Sequence, residues 1–235
     1  MMKDKFTDSY FNKAYKSYIV KELSEFGFQK YKSRYIARVV NDSIFQFIGY
    51  QKDAHGSKRF VVDIGFRPLY VPHEFLVLTP GARLDKFINQ TGTWWGFETE
   101  IEAEDSFNEV SQILKEKVIG VFDNLNSTKG LIKYYNTEEF PIRWFSDPSH
   151  GFYCLAYLYL KEHRFEEAID NFINASELYK SYGFDWSEEK YKECEEVLKL
   201  CREDRDKVDW YLEKCEQQSL EVLKIDKNKY FYNQK

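Results

Sequence analysis

The side chains best placed for chemistry lie on one strand-like run, Arg59 to Arg67, which reads Arg-Phe-Val-Val-Asp-Ile-Gly-Phe-Arg. Successive strand residues point to opposite faces, so Phe60, Val62, Ile64 and Phe66 share one face and Arg59, Asp63 and Arg67 the other. With Gln51 and Arg83, the pair Asp63 and Arg67 forms a candidate ligand site. Arginine there suits an anion, because its planar fork donates two parallel hydrogen bonds to a carboxylate or phosphate. A deep pocket holding Asp63 beside Arg67 or Arg83, with a perturbed pKa, would mark a ligand-binding domain or an enzyme.

A wider constellation suits a protein partner. Arg34 and Arg38 share a face of the run Tyr31 to Val40, opposite Tyr35 and Val39, and Glu98 and Glu100 share a face of a short run from Trp94 to Ile101. Trp94 and Trp95 fall on opposite faces, leaving one indole as an interface anchor. The contact set expected for a partner is Arg34, Arg38, Arg67, Trp94, Glu98 and Tyr159. The same charges on a solvated sheet face would form cross-strand ion pairs, each contributing at most about 1 kcal/mol.

Other reaction centres lack their motifs. The sequence has no H-E-x-x-H, no G-x-S-x-G and no Gly-rich phosphate loop. His55 and His73 read as loop residues, His163 as part of a helical turn, and Ser149 beside His150 does not make a dyad. Cys194 and Cys201 are seven residues apart, a rise of about 10.5 Å on one helix. Two thiolates on one zinc lie far closer together than that. Cys154, Cys194, Cys201 and Cys215 therefore read as buried thiols in a reduced compartment, and no metal, cofactor or catalytic residue is expected.

These groups need elements to hold them. Phe6 to Phe26 carries apolar residues at three-four spacing and ends at Gly27, the pattern of a helix. Tyr31–Val40, Ser43–Gln51 and Arg59–Arg67 are strands separated by short turns, which predicts an antiparallel meander with one buried face. The stretch Leu69–Gly92 is irregular, and the Trp94 run rejoins the sheet as a fourth strand. A helix over 103–124 buries Phe107, Val110, Leu114, Val118 and Phe122. A shorter helix lies near Thr128–Tyr135.

Beyond Pro141 and Pro148 the sequence reads as wholly helical, which divides the chain into an α+β domain at 1–140 and a helical extension at 141–235. Phe152-x-x-Leu155-Ala156-x-x-Tyr159 followed by Ala168-x-x-x-Phe172-x-x-Ala175 resembles a single tetratricopeptide-like hairpin, a scaffold that holds other proteins. A heptad seam of Tyr191, Cys194, Leu198, Cys201, Val208, Leu212, Cys215 and Val222 follows, on one long helix or two. The polar tail from Asp226 is expected to fray.

Composition sets the outer bounds. The 235 residues are 43% hydrophobic and 18% aromatic, with only 5 Pro and 11 Gly, enough for a sizeable core. A net charge of −5 argues against nucleic acid as partner. Lysines and aspartates interrupt the first twenty residues, so no secretory signal is read, and no apolar run is long enough to span a membrane. A cytoplasmic protein is expected, with its oligomeric state open.

The order of several short motifs carries a family resemblance. Leu23-x-x-x-Gly27-Phe28, the strand ending Tyr50-Gln51-Lys52, Phe60-x-x-x-Ile64-Gly65, and Arg83-Leu84 ahead of Trp94-Trp95 and an acidic amphipathic helix are similar to domain of unknown function 4304, an uncharacterised bacterial family. The resemblance covers about Tyr10 to Leu131. The apolar run Phe75-Leu76-Val77-Leu78 departs from it. It implies an α+β domain with a helical extension and transfers no catalytic residue. The function expected is that of a non-catalytic protein-interaction module, by analogy an immunity or regulatory protein.

Overall fold

The computed structural model describes residues 5–72, 81–136 and 148–232. The apolar run Phe75–Leu78, His73 and most of the expected boundary segment around Pro141 lie outside those residues. Helix α1 (Lys5–Ala14) runs on into a π-helical stretch, Tyr15–Val20, and a tight turn, Leu23–Phe26. Gly27 stops it at φ +79°, donating to the Ser24 carbonyl at 3.0 Å, as an αL helix terminator does.

Among the described residues the sheet has six strands, where about four were expected. They are β1 (Gln29–Lys32), β2 (Tyr35–Val40), β3 (Ile44–Lys52), β4 (Arg59–Pro68), β5 (Gly81–Arg83) and β6 (Trp95–Gly96). Strands β1 to β5 lie in chain order and antiparallel, and β6 pairs with the start of β4. The run Tyr31–Val40 is not one strand. Its polar stretch Lys32-Ser33-Arg34 has no apolar alternation to continue, so the chain turns there and pairs Gln29 with Ala37. The Trp94 run stops early because Thr99 caps the next helix. Its Oγ1 accepts from Glu102 N at 3.1 Å, while the Glu102 carboxylate accepts from Glu98 N at 2.6 Å, one residue before the cap.

That helix is α2 (Glu100–Ile113), which continues through a π-helical stretch, Leu114–Val118, into α3 (Ile119–Asn124). It packs with α1 on one sheet face. Phe60 stacks on Phe107 at 4.6 Å between centroids, and Phe11 meets both edge-on. Aromatic rings fill this layer, as the composition requires.

The second sheet face is also covered over much of its area, which corrects the expectation of a single buried face. Ala37, Val39, Phe45, Phe47 and Leu69 form an apolar cluster with Leu223, Ile225 and Tyr230 from the end of the chain. Tyr230 Oη donates to the Lys30 carbonyl at 3.1 Å, and Tyr232 N donates to the Val39 carbonyl at 2.8 Å. The tail from Asp226 is therefore ordered by the sheet through Tyr232 and does not fray there. Asp226 itself caps the short helix Lys227–Tyr230.

Between these lie α4 (Thr128–Asn136), α5 (Pro148–Lys161), α6 (Phe165–Tyr182), α7 (Asp185–Glu203) and α8 (Val208–Leu223), with Lys227–Tyr230 as α9. Helices α5 and α6 make a hairpin in which Ala156, Ala168 and Ala175 are fully buried and Tyr157 meets Phe172 edge-on at 5.1 Å. Small residues let the helix axes approach while the rings fill the space around them. The region 187–224 is two helices. Glu203-Asp204-Arg205-Asp206 has no apolar residue to carry the seam across, and Asp204 binds Lys207 at 2.8 Å instead. Within the seam Cys194, Leu198, Cys201, Val208, Leu212 and Cys215 are buried, while Val222 is exposed and Leu223 points inward. All four cysteines are free and buried, and burial pushes the Cys154 and Cys194 thiols up to about 12. Among the described residues no helix is long and apolar enough to cross a membrane.

Candidate functional site

Cross-strand rows organise the second sheet face. One row runs Val39, Phe45, Arg67, the next Ala37, Phe47, Gly65, Gly81, and the next Tyr35, Gly49, Asp63, Arg83. The C-terminal segment covers the first of these rows and part of the second. Among the described residues the third is not covered by that segment, and its Tyr35 and Asp63 line a cavity of about 530 Å³ with Ser33, Arg34, Phe47, Tyr50 and Gln51. That volume falls within the usual range of small-molecule sites.

Two glycines shape the floor. A Cβ on Gly49 would meet Tyr35 Cε1 at 2.5 Å, and a Cβ on Gly65 would run into the Phe47 ring. Each aromatic ring thus lies flat across the neighbouring strand's glycine. Tyr35 on β2 and Phe47 on β3 wall the cavity, and Asp63 stands on the β4 side.

Asp63 is the unusual group. It is only 6% exposed, and its Oδ1 has no hydrogen-bond partner among the described residues. Burial raises its pKa, the nearby Asp85 adds to the rise, and Arg83 opposes both. Asp85 sits just past β5, buried, with Oδ2 accepting from Gly92 N at 2.7 Å and Oδ1 left over. Arg83 does not bind Asp63. Its guanidinium lies 6.0 Å from the Trp94 ring, which Arg59 covers more closely at 4.6 Å. At the mouth Arg34 is exposed in the β1–β2 turn, its carbonyl accepting from Tyr50 N at 3.0 Å and its guanidinium without a hydrogen bond or ion pair among the described residues, and Gln51 is exposed beside it.

The residues expected to act together are scattered. Arg34, Gln51 and Asp63 line the cavity, and Arg83 adjoins it across the β4–β5 ladder. Arg38 faces the other way. It lies in a row with Gln46 and Phe66, on the face that packs against α2–α3. There its guanidinium donates to Gln46 Oε1 at 2.7 Å, the Phe26 carbonyl at 2.6 Å and Asp123 at 2.8 Å. Arg67 is on the second face but under the C-terminal cover, donating to Ser219 Oγ on α8 at 3.2 Å. Burial lowers its pKa to about 10, which still leaves it charged at neutral pH. Trp94 is half-buried under its two arginines, and Glu98 is exposed at the start of α2. Tyr159 is 7% exposed. Its hydroxyl accepts from Asn136 Nδ2 at 2.9 Å, and the Arg164 guanidinium covers its ring at 4.5 Å.

Ser33, Tyr35, Phe47, Tyr50 and Asp85 are the site residues that sequence reasoning missed. Reading Tyr31–Val40 as one strand hid the Ser33–Arg34 turn. The signal available was the pair Gly49 and Gly65, small residues inside otherwise bulky strands.

The fold and the cavity define an α+β protein whose antiparallel sheet is packed on both faces and open at one end. Residues 19–124 match the model of a family described as domain of unknown function (DUF4304). No curated protein and no solved structure matches the chain. The matched stretch takes in all six strands, α2 and α3, and with them every residue lining the cavity. The C-terminal segment that covers the rest of the second face lies outside it.

Proposed function

We propose that this chain works by binding, and that its recognition element is the cavity at the open end of the second sheet face, which takes a small polar molecule. The carrying observation is Asp63, a buried carboxyl with an oxygen left without a partner. Leaving such a group unsatisfied costs about 1–3 kcal/mol, more when it is charged. Native structures rarely keep that cost without a use for the group. A ligand that donates to Asp63 from the cavity would recover it. Arg67, expected beside Asp63, plays no part in this site because Ser219 and the C-terminal segment enclose it.

Thermal-shift screening of small polar compounds against the wild type and Asp63→Asn tests the reading. Compounds with a donor group should raise the Tm of the wild type and leave Asp63→Asn unmoved. A screen in which no compound distinguishes the two proteins would sink it.

A protein partner is the second reading, and a separate observation favours it. Phe184 and Trp186 stack on one another at the α6–α7 turn, at 6.2 Å, and remain 61% and 49% exposed. Exposed aromatic pairs of this kind are typical interface anchors. Such a partner would fit the interaction role, regulatory or immunity-like, expected from the sequence. It should co-purify with the wild type and with Asp63→Asn but not with Phe184→Ser/Trp186→Ser. Recovery of the same partner with the double variant would rule this surface out.

A further inference from the structure

We infer that the ligand of this cavity is dipolar, a small molecule of the amino-acid class whose ammonium group meets Asp63 and whose carboxylate meets Arg34. The inference rests on the reading of the cavity as a ligand site and narrows what fills it. Its basis is the presence of two opposite charges in one cavity that do not satisfy each other. Asp63 is buried at the floor, and neither its Oδ1 nor the Arg34 guanidinium at the mouth has a hydrogen-bond partner among the described residues.

The sheet sets the separation of their backbones. Asp63 is on β4, and Arg34 immediately precedes β2, two strands away. Two inter-strand spacings come to about 9.5 Å. An ammonium group donating to Asp63 and a carboxylate accepting from Arg34 take up about 2.8 Å at each end. The N–Cα–C–O path of an amino acid spans about 3 Å between its charged atoms. An amino acid thus bridges a carboxylate oxygen and a guanidinium nitrogen about 9 Å apart. A simple ammonium or carboxylate ion would reach one end and leave the other unmatched.

Tyr35 lies between the two charges and feels both. Burial raises the pKa of its phenol, Asp63 raises it further and Arg34 lowers it. Arg83 and Asp85 are the charges that act on Asp63, and Arg34 lines the cavity from the exposed β1–β2 turn. The Tyr35 and Phe47 rings supply an apolar wall between the ends. The cavity, at about 530 Å³, exceeds what the ammonium and carboxylate groups need, which leaves room for an apolar or aromatic side chain.

The test is calorimetric titration with a matched set: L-phenylalanine, phenethylamine, which lacks the carboxylate, and 3-phenylpropionate, which lacks the amine. The other common amino acids are screened alongside. The full-length wild type should bind at least one amino acid, and loss of either charged end should weaken binding tenfold or more. Arg34→Gln, at an exposed position, should fold normally and bind L-phenylalanine no better than phenethylamine. Asp63→Asn should lose the preference for L-phenylalanine over 3-phenylpropionate. If phenethylamine binds the wild type as tightly as L-phenylalanine, the dipolar assignment is overturned while the ligand site stands. If no amino acid binds but the broader screen finds compounds that depend on Asp63, the dipolar assignment again fails alone. Failure of both screens removes the site itself.

Discussion

Asp63 and Arg83 face each other across the β4–β5 ladder, yet no hydrogen bond joins them. Arg83 turns toward Trp94, where Arg59 already covers the ring. The pairing that sequence would predict from the register is declined, and the carboxylate is left facing the cavity. An ion pair at that position would have satisfied Asp63 internally and closed the site to a donor from outside.

Replacing Asp63 should therefore stabilise the fold. Burial, with Asp85 adding and Arg83 opposing, holds the folded-state pKa of Asp63 above its ordinary value of 3.8. The folded chain binds that proton more tightly than the unfolded chain does. Ionised Asp63 thus costs stability above its folded pKa, and the cost is removed as pH falls through that pKa toward 3.8. Asp63→Asn should gain about 1 kcal/mol at pH 7, roughly 2–4 °C in Tm, and the gain should shrink toward pH 4. Paired melts at the two pH values check the sign. A variant that melts lower at pH 7 would show that Asp63 is satisfied inside the protein.

Arg38 should behave in the opposite way, because its partners are internal. Its guanidinium is 1% exposed, lies 4.7 Å from the Phe28 ring and 5.0 Å from the Tyr232 ring, and donates three hydrogen bonds. Arg38→Met keeps the apolar stem but strips donors from Gln46 and the Phe26 carbonyl, at a cost of about 3–5 kcal/mol. Asp123, whose side chain is 41% exposed, is the least important of the three partners. Asp123→Asn should cost about 1 kcal/mol or less. Urea unfolding of both variants separates the cases, and equal losses would assign the stability to the ion pair rather than to the buried network.

How far the sequence could be read depended on how local each determinant is. The buried stripe on α2 and the alternation along β4 are short-range patterns, and each element they announce is present. Alternation also put Arg38 opposite Tyr35 and Val39, correctly. It could not say which side was which, because that depends on register with Gln46 and Phe66. The cover over Arg67 comes from α8 and the end of the chain, so a polar residue on β4 read as solvent-facing when it is not. The cavity is what that distant cover leaves exposed, and its one local trace is the pair Gly49 and Gly65.

The two floor glycines should respond unequally to added bulk. At Gly65 a methyl group runs into the Phe47 ring, which is 1% exposed and packed at 5.8 Å on Phe45. Gly65→Ala should cost about 1–3 kcal/mol, the range for overpacking a filled site. At Gly49 the obstacle is Tyr35, a half-buried ring at the cavity wall that has open space to move into. Gly49→Ala should cost less than about 1 kcal/mol while shifting Tyr35 into the cavity and weakening any ligand held there. Chemical denaturation ranks the pair, and a larger loss at Gly49 would place the rigid wall at Tyr35.

The end of the chain should be required for stability even though the family match stops at residue 124. Ile225 and Tyr230 seal the apolar cluster on Ala37, Val39 and Phe45, and Tyr232 lies over both Gly27 and Arg38. Truncation after Lys224 removes these contacts together with the Tyr230 and Tyr232 hydrogen bonds to the Lys30 and Val39 carbonyls. It uncovers apolar side chains on a β-sheet, a surface prone to association. Burying two aromatic side chains and one isoleucine contributes about 1.5–3 kcal/mol each relative to exposure, so the truncated chain should lose several kcal/mol. It should also bind a hydrophobic dye in proportion to the area exposed. Tyr35 of the third row packs against the same apolar cluster, so the truncation should weaken ligand binding along with stability. A truncated protein with an unchanged melting temperature would mean that the sheet's second face is stable uncovered and that the C-terminal segment only rests on it.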